Sequence, residues 1–240
     1  KKIIKLKKPF IIEKPIVADL KQLYEIKKLC KNYQYPILVN YSDLYNPAFI
    51  EFEKKIKTIG NYKEIDITFG KIQKKKLIKT SNKNNFSHLP SFDWLPHPVA
   101  IIIKLVGIPK KINIIKNVTN IKNGFIFQEI IICLYTKNKI ININFSNNFS
   151  TPVRKISIQG SRSNLIYDSY KKNMIVKKNK YGNKIKIKHK KVQPIQNLLN
   201  IFFLKIKKKS NNNDLIFSYK VMNVLFKIHK ELNKTTTKIF

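Results

Sequence analysis

Apolar positions in the first 60 residues follow the order strand, helix, strand, helix. Short apolar runs at residues 9–12 and 36–39 predict two buried strands. Between them, apolar residues recur at helical spacing from residue 19 to 33, with Asp19 as a natural N-cap. Asn46–Pro47 supplies a second N-cap followed by proline at the first helical position. This alternation predicts an α/β unit with parallel strands.

The pattern changes after Gly60. Residues 64–71 alternate between apolar and polar and predict a strand with one buried face, the polar residues 79–90 predict a loop, and residues 93–106 predict a helix that Asp93 caps. Isoleucine-rich extended segments separated by Asn, Gly and Ser turns predict an antiparallel sheet, at roughly 110–118, 125–134, 139–146, 153–159, 164–168 and 173–177. Two helices, at 194–206 and 214–233, close the chain.

These elements predict an α+β fold class, a partial Rossmann-like parallel unit followed by a predominantly antiparallel, open-faced sheet with helices on one side. We place the first part at residues 1–60 and the second at 61–240. No apolar run approaches the ~20 residues of a membrane helix, so no membrane partner is expected. Cys30 and Cys133 lack metal-ligand spacing and suggest free thiols in the cytoplasm.

Charge is the most unusual property of the chain. Lys and Arg number 49 against 13 Asp and Glu, which gives a net charge of +36. A basic chain can bind nucleic acid, yet only two of these residues, Arg154 and Arg162, are arginines. Base readout and phosphate clamping favour the planar arginine fork. The abundance of Lys, Ile and Asn matches an AT-rich genome, so nucleic acid is the least favoured partner.

The first candidate for chemistry is Glu13–Lys14–Pro15. It follows a predicted parallel strand directly, and open α/β sheets bind ligands at the carboxyl ends of such strands. The alternative is a solvated turn that ends in a proline.

The second candidate is the pair Asp93 and His97, which a helix brings to one face at i, i+4 spacing. A carboxylate beside an imidazole can orient the ring and raise its basicity, as a general base requires. The alternative is an N-cap aspartate beside a structural histidine. No grouping of residues in the sequence has the spacing of a metal site, and no metal is expected.

Several stretches form an ordered set along the chain: KPFIIEKPIVADL at 8–20, YPILVNY at 35–41, YNPAF at 45–49, FDWLPHP at 92–98 and IQGSRSNLIYD at 158–168. In order and separation they resemble the Gfo/Idh/MocA family of NAD(P)-dependent oxidoreductases, over nearly the whole chain. The resemblance implies an enzyme that oxidises or reduces a secondary alcohol of a sugar, polyol or sugar nucleotide with NAD or NADP. It also implies a homo-oligomer formed through the open face of the sheet.

By this resemblance, Glu13, Lys14 and Pro15 contact the cofactor, with Glu13 on the nicotinamide ribose and Lys14 near the reacting hydroxyl. Asp93 and His97 line the substrate cleft. His97 is the candidate base, Lys14 stabilises the developing alkoxide, and Asp93 orients the base or holds a second hydroxyl.

Tyr41, just after the second predicted strand, is a possible substrate-binding residue. A packed core aromatic is the alternative interpretation of this tyrosine.

The chain departs from the family pattern at several positions. Leu95 and Ala100 replace a frequent glycine and aspartate, and the loop 42–44 lacks the common arginine. No Gly-x-Gly-x-x-Gly occurs, and Gly60 is the first glycine. We therefore expect a chain that lacks the N-terminal part of the Rossmann domain and by itself binds NAD(P) weakly. The alternatives are a non-catalytic binding or oligomerisation module on the same fold and, less favoured, a lysine-rich nucleic-acid-binding protein.

Overall fold

A computed structural model describes seven stretches of the chain, residues 6–30, 33–76, 86–171, 174–179, 181–208, 214–235 and 237–239. Most of the loop predicted at 79–90 lies outside the described residues. The α-helices are Leu20–Cys30 (α1), Pro47–Ile56 (α2), Pro90–Trp94 (α3), Pro96–Val106 (α4), Pro194–Lys207 (α5) and Leu215–Thr235 (α6), and a 3₁₀-helix spans Ser42–Tyr45. None of the described helices combines the length and apolar character needed to cross a bilayer.

The strands form a small parallel sheet and a large mixed one. The small sheet pairs Phe10–Glu13 (β1) with Ile37–Asn40 (β2). The other strands are Tyr62–Gly70 (β3), Lys75–Lys76 (β4), Lys111–Lys122 (β5), Phe125–Tyr135 (β6), Ile140–Ser146 (β7), Val153–Gly160 (β8), Ser163–Asp168 (β9), Met174–Asn179 (β10), Lys184–Lys186 (β11) and Thr237–Ile239 (β12).

The large sheet has the order β11-β10-β9-β8-β3-β7-β6-β5-β12, and β4 pairs with β6. Most neighbours are antiparallel, as predicted. However, β3 runs parallel to β7 and β12 runs parallel to β5. β3 therefore lies between β7 and β8, although two helices and three strands separate it from β7 in the chain.

One face of the large sheet packs against helices and the other is open. Alternate residues of the central strands are buried in the main core, such as Ile65, Ile132, Ile143 and Ile156. Polar side chains occupy the opposite face, where Asn142 Nδ2 donates to Asp66 Oδ1 at 3.0 Å. The strand period of two therefore produces the predicted open-faced sheet.

The small sheet is covered on both sides. Ile37 and Val39 belong to the main core, whereas Leu38 points the other way and packs with Leu198 and Phe202 of α5. The main core also contains residues from both sides of the predicted boundary at residue 60. The sheet edge at Glu13 is thereby held close to the helices of the second part.

The predicted helix 93–106 is wrong in one respect, because it is two helices. α3 ends at Trp94 and α4 begins at Pro96, with Leu95 between them. Pro96 and Pro98 lack the N–H groups that a continuous helix would need. Asp93 consequently lies inside α3 and is not an N-cap. By contrast, Asp19 does cap its helix, since its Oδ1 accepts from the Gln22 amide at 2.9 Å.

Candidate functional site

The carboxyl ends of the two parallel strands lie side by side at Glu13 and Asn40. Their Cα positions are paired in the sheet, and Asn40 Nδ2 donates to Glu13 Oε1 at 2.6 Å. The Glu13 carboxylate is exposed at this edge. Parallel pairing thus delivers the acidic group to the side of the sheet where ligands bind in open α/β folds.

Lys14 leaves this edge and reaches α3. Its Nζ donates to the Asp93 carbonyl oxygen at 2.6 Å and to Asp93 Oδ1 at 3.0 Å. The lysine side chain is 14% exposed and the aspartate side chain 35% exposed. The Lys14–Pro15 peptide bond is cis. The sequence predicted that residues 14 and 93 share a site, and the structure brings them into direct contact.

His97 lies in the first turn of α4, with its ring stacked on Phe69 at a centroid distance of 5.8 Å. Its Nδ1 is 2.7 Å from Asp43 Oδ2. The carboxylate beside the imidazole is therefore Asp43 rather than the predicted Asp93. Asp93 is instead held by Lys14, and it lies in α3 whereas His97 lies in α4.

Asp43 belongs to the 3₁₀-helix that follows β2, and it is buried between two partners. Arg154 of β8 places Nη1 3.0 Å from Oδ1, and His97 faces Oδ2. Burial raises the pKa of this carboxyl, but His97 and Arg154 outweigh burial and lower the pKa to about 2. Asp43 is therefore ionised throughout the neutral range.

Aromatic rings surround the Arg154 guanidinium. Its carbon lies 4.9 Å from the ring centroid of Phe69, 5.4 Å from that of Trp94 and 5.6 Å from that of Tyr170. These contacts hold a flat cation against the Asp43 carboxylate by cation–π attraction and packing.

The protonation of His97 follows from its surroundings. Burial lowers its pKa, Asp43 raises it, and the charges of Lys14 and Arg154 lower it, with a net downward shift. Lys14 reaches Asp93, four residues before His97 in the chain, and its charge acts on the imidazole from there. At pH 7 the site thus contains a neutral imidazole near a cation, and Nε2 has no hydrogen bond to any described residue.

Two groups in this arrangement, the imidazole and the lysine ammonium, can act on a substrate oxygen atom. A neutral imidazole can accept a proton, and a lysine ammonium can stabilise negative charge. No group of three or more metal-ligand side chains occurs in the part of the chain that the structure describes.

Tyr41 is packed in the core. Its ring lies edge-to-face on Phe217 of α6 at 5.9 Å, and Ser218 of the same helix lies beside its hydroxyl. Burial raises the pKa of this phenol, and the nearby Ser218 hydroxyl only partly offsets that effect. Its side-chain contacts are with α6 and not with Lys14 or His97. A role for Tyr41 in substrate binding stays a prediction.

Sequence reasoning did not assign Asp43 or Arg154 to the site. Asp43 follows the end of β2, the same kind of position that singled out Lys14, and Arg154 is one of two arginines among 49 basic residues. The position of Asp43 and the rarity of arginine are both visible in the sequence. Neither shows that Asp43 and Arg154 pair with each other, because that depends on the fold.

Comparisons with known proteins agree with this architecture. No family model matches the chain. A stretch of 110 residues is 31% identical to the uncharacterized protein YMR315W of Saccharomyces cerevisiae, and it covers 44% of this chain. It covers 32% of the yeast protein, so the chain matches about a third of that relative's length.

Solved structures match over more of the chain. A candidate NADPH-dependent oxidoreductase of Desulfitobacterium hafniense has a TM-score of 0.76 at 16% identity, over 94% of this chain and 71% of its own. The UDP-N-acetylglucosamine 3-dehydrogenase of Acidithiobacillus ferrooxidans has a TM-score of 0.70 at 12% identity, over 91% and 68%. The chain therefore shares its fold with these solved oxidoreductase structures. At these identities the similarity establishes the fold alone. The activity depends on the chemistry of the site.

Proposed function

We propose that this protein is an NAD(P)-dependent oxidoreductase that interconverts a secondary alcohol and a ketone on a sugar, polyol or sugar nucleotide. The observation that carries the proposal is the ion pair of Lys14, which follows β1, with Asp93 of α3, four residues before His97 at the start of α4. The neighbours of the same fold add support, since one is a candidate NADPH-dependent oxidoreductase and another acts on a sugar nucleotide.

The residues divide the work of alcohol oxidation between them. Bound NAD(P)⁺ supplies an acceptor for the hydride that leaves the carbinol carbon. His97 Nε2 takes the hydroxyl proton, and the two electrons of the broken O–H bond form the C=O double bond. Lys14 donates a hydrogen bond to the same oxygen and stabilises its negative charge. In the direction of ketone reduction, His97 returns the proton.

The cofactor would meet this chain at the β1 edge. The exposed Glu13 carboxylate, fixed by Asn40, suits a hydrogen bond from a ribose hydroxyl, and Lys14 and Pro15 adjoin it. These residues fit the nicotinamide end of the molecule. The sequence has no Gly-x-Gly-x-x-Gly turn for the pyrophosphate, so we keep the expectation that this chain by itself binds NAD(P) weakly.

Turnover by the full-length protein tests the proposal. NAD⁺ and NADP⁺ reduction is followed at the nicotinamide absorbance with a panel of sugars, polyols and sugar nucleotides. We expect Lys14→Ala and His97→Ala each to lower kcat by roughly 10²-fold or more, as the loss of a positioned acid–base or electrostatic group does. The exposed Lys21→Ala and the half-buried His189→Ala are the matched controls and should leave turnover unchanged.

Undiminished turnover in both site variants would contradict the assigned roles. Absence of turnover with every substrate would favour the second candidate, a non-catalytic binding or oligomerisation module. The missing glycine motif is the observation that favours that candidate. We propose assembly through the open sheet face in either case, and sedimentation equilibrium measures it directly.

A further inference from the structure

Arg154 of β8, Asp43 of the 3₁₀-helix and His97 of α4 form a row of three charged or polar side chains in contact. We infer that Arg154 and Asp43 form a positioning pair, which holds the proton of His97 on Nδ1 and leaves Nε2 as the proton acceptor. The catalytic meaning of this pair rests on the proposed function, whereas the position of the proton does not.

The two oxygens of Asp43 are used by two different partners. Oδ1 is 3.0 Å from Arg154 Nη1, and Oδ2 is 2.7 Å from His97 Nδ1. At 2.7 Å an ionised carboxylate oxygen repels a nitrogen lone pair and attracts an N–H, so Nδ1 is the nitrogen that carries the proton. In a neutral imidazole the other nitrogen then carries the lone pair. The geometry of Asp43 thus selects one tautomer of His97.

Arg154 fixes the carboxylate that makes this selection. The Asp43 side chain is only 6% exposed and needs a compensating cation. Arginine is rare in this chain, because every basic residue other than Arg154 and Arg162 is a lysine. An arginine nevertheless occupies the position beside Asp43. A planar guanidinium packs against the rings of Phe69 and Trp94 while it donates to Asp43, which the compact ammonium of lysine does not do.

The groups around His97 come from several elements. Asp43 comes from the 3₁₀-helix, Arg154 from β8 and Lys14 from the turn after β1, while Phe69 of β3 covers the ring. Tyr167 of β9 lies near Asp43, and burial raises the pKa of its phenol, so it stays neutral. Removing the Arg154 charge should therefore move the His97 titration to higher pH, because a cation that disfavours the imidazolium is lost.

The unmodified protein tests the tautomer first. Long-range ¹H–¹⁵N NMR of the imidazole rings distinguishes a protonated Nδ1 from a protonated Nε2, and the chain has only four histidines to assign. We expect His97 at pH 7.5 to be neutral with its proton on Nδ1. A proton on Nε2 would overturn the inference without any variant being made.

Two variants then separate the members of the pair. In Asp43→Asn the new amide oxygen accepts from Arg154, so its NH₂ group faces Nδ1 and the proton should move to Nε2. Arg154→Gln should shift the His97 titration to higher pH. Asp66→Asn, on the open sheet face, and Arg162→Gln, at an exposed turn, are the matched controls and should leave the His97 signals unchanged.

Turnover measurements distinguish a failure of this inference from a failure of the proposed function. If the tautomer changes as expected but no protein oxidises an alcohol, the positioning pair stands and the proposed function fails. If the active protein retains the same His97 tautomer and titration in both variants, the pair is wrong and the function stands. Where both hold, Asp43→Asn should lower kcat by roughly 10²-fold with a smaller change in KM.

Discussion

His229 is a buried histidine that the proposed chemistry does not use. It lies in α6 with no exposed surface, stacked on Phe86 at 4.9 Å and tilted against Phe92 at 5.5 Å. Neither ring nitrogen has a hydrogen-bond partner among the described residues. Burial, with a smaller contribution from His88, lowers its pKa to about 3. The ring serves the core as an uncharged aromatic.

This environment predicts acid sensitivity from a single side chain. Below the usual pKa of 6.5, His229 is protonated in the unfolded chain but stays neutral in the folded protein. Stability is therefore complete above pH 6.5 and declines as the pH falls towards 3, by about 2 kcal/mol between pH 7.5 and 5. His229→Leu should remove this share of the pH dependence, as measured by urea unfolding of both proteins at the two pH values.

The wild-type protein is the control, because every other titrating group is common to the two chains. An equal loss of unfolding free energy in His229→Leu would show that His229 does not titrate on unfolding. At pH 7.5 the substitution should cost little, since no hydrogen bond is lost.

At the residue scale the sequence predicted part of the site. Lys14 was identifiable because a charged residue at the end of a buried strand emerges at a defined sheet edge. The partner of His97 was not identifiable, since helical spacing pointed to Asp93, whereas the fold pairs His97 with Asp43 and Asp93 with Lys14. Asp43 and Arg154 meet only because the tertiary fold brings the 3₁₀-helix after β2 next to β8, which no local spacing encodes.

At the element scale, one glycine controls how closely β3 and β7 approach. Gly70 ends β3 with φ +155°, and a Cβ there would lie 1.8 Å from the Ser146 carbonyl oxygen. The preceding residue, Phe69, stacks on His97 and lies against Arg154. This end of β3 therefore sets both the strand spacing and the wall of the candidate site.

Gly70→Ala should destabilise the protein by about 3 kcal/mol, because the two backbones must separate to admit the methyl group. It should also weaken the proposed activity through Phe69. Gly124→Ala is the matched control: that glycine has φ +74° in the β5–β6 turn, but nothing lies within 4 Å of the added Cβ. Thermal unfolding of the two variants measures the difference, and equal midpoints would contradict the close-approach argument.

Most element positions could be predicted, since two periodicities and a few caps define them. The strands and helices at 10–13, 37–40, 47–56 and 194–207 lie within two or three residues of their predicted bounds. β11 was missed, because its exposed, lysine-rich residues show no buried face. The parallel pairing of β3 with β7 was also missed, since a strand's own pattern does not reveal which strand lies beside it.

At the scale of the whole molecule, charge opposes folding. With +36 and only 13 acidic residues to oppose 49 basic ones, lysine repulsion is spread over the surface. Ion pairs such as Lys54–Glu51 and Lys104–Glu53 are exposed and contribute little. Screening should therefore stabilise this protein rather than weaken it.

Raising NaCl from 20 mM to 300 mM should increase the unfolding midpoint, by roughly 2–4 °C for each kcal/mol of repulsion that is screened. Differential scanning calorimetry measures the shift, with sucrose of equal osmolality as the control for excluded-solute effects. A midpoint that falls with salt would mean that attractive pairs outweigh repulsion.

The place of β3 in the sheet has a consequence for biosynthesis. Both of its neighbours, β7 and β8, are translated much later, so Ile65, Ile67 and Phe69 leave the ribosome long before residues 140–160 can cover them. During that interval the backbone N–H and C=O groups on both edges of this apolar segment are unpaired, and strands of other chains can pair with them. Holdase chaperones should engage the nascent polypeptide in this window, and silent codon changes that slow elongation between β3 and β7 should lower the yield of native protein.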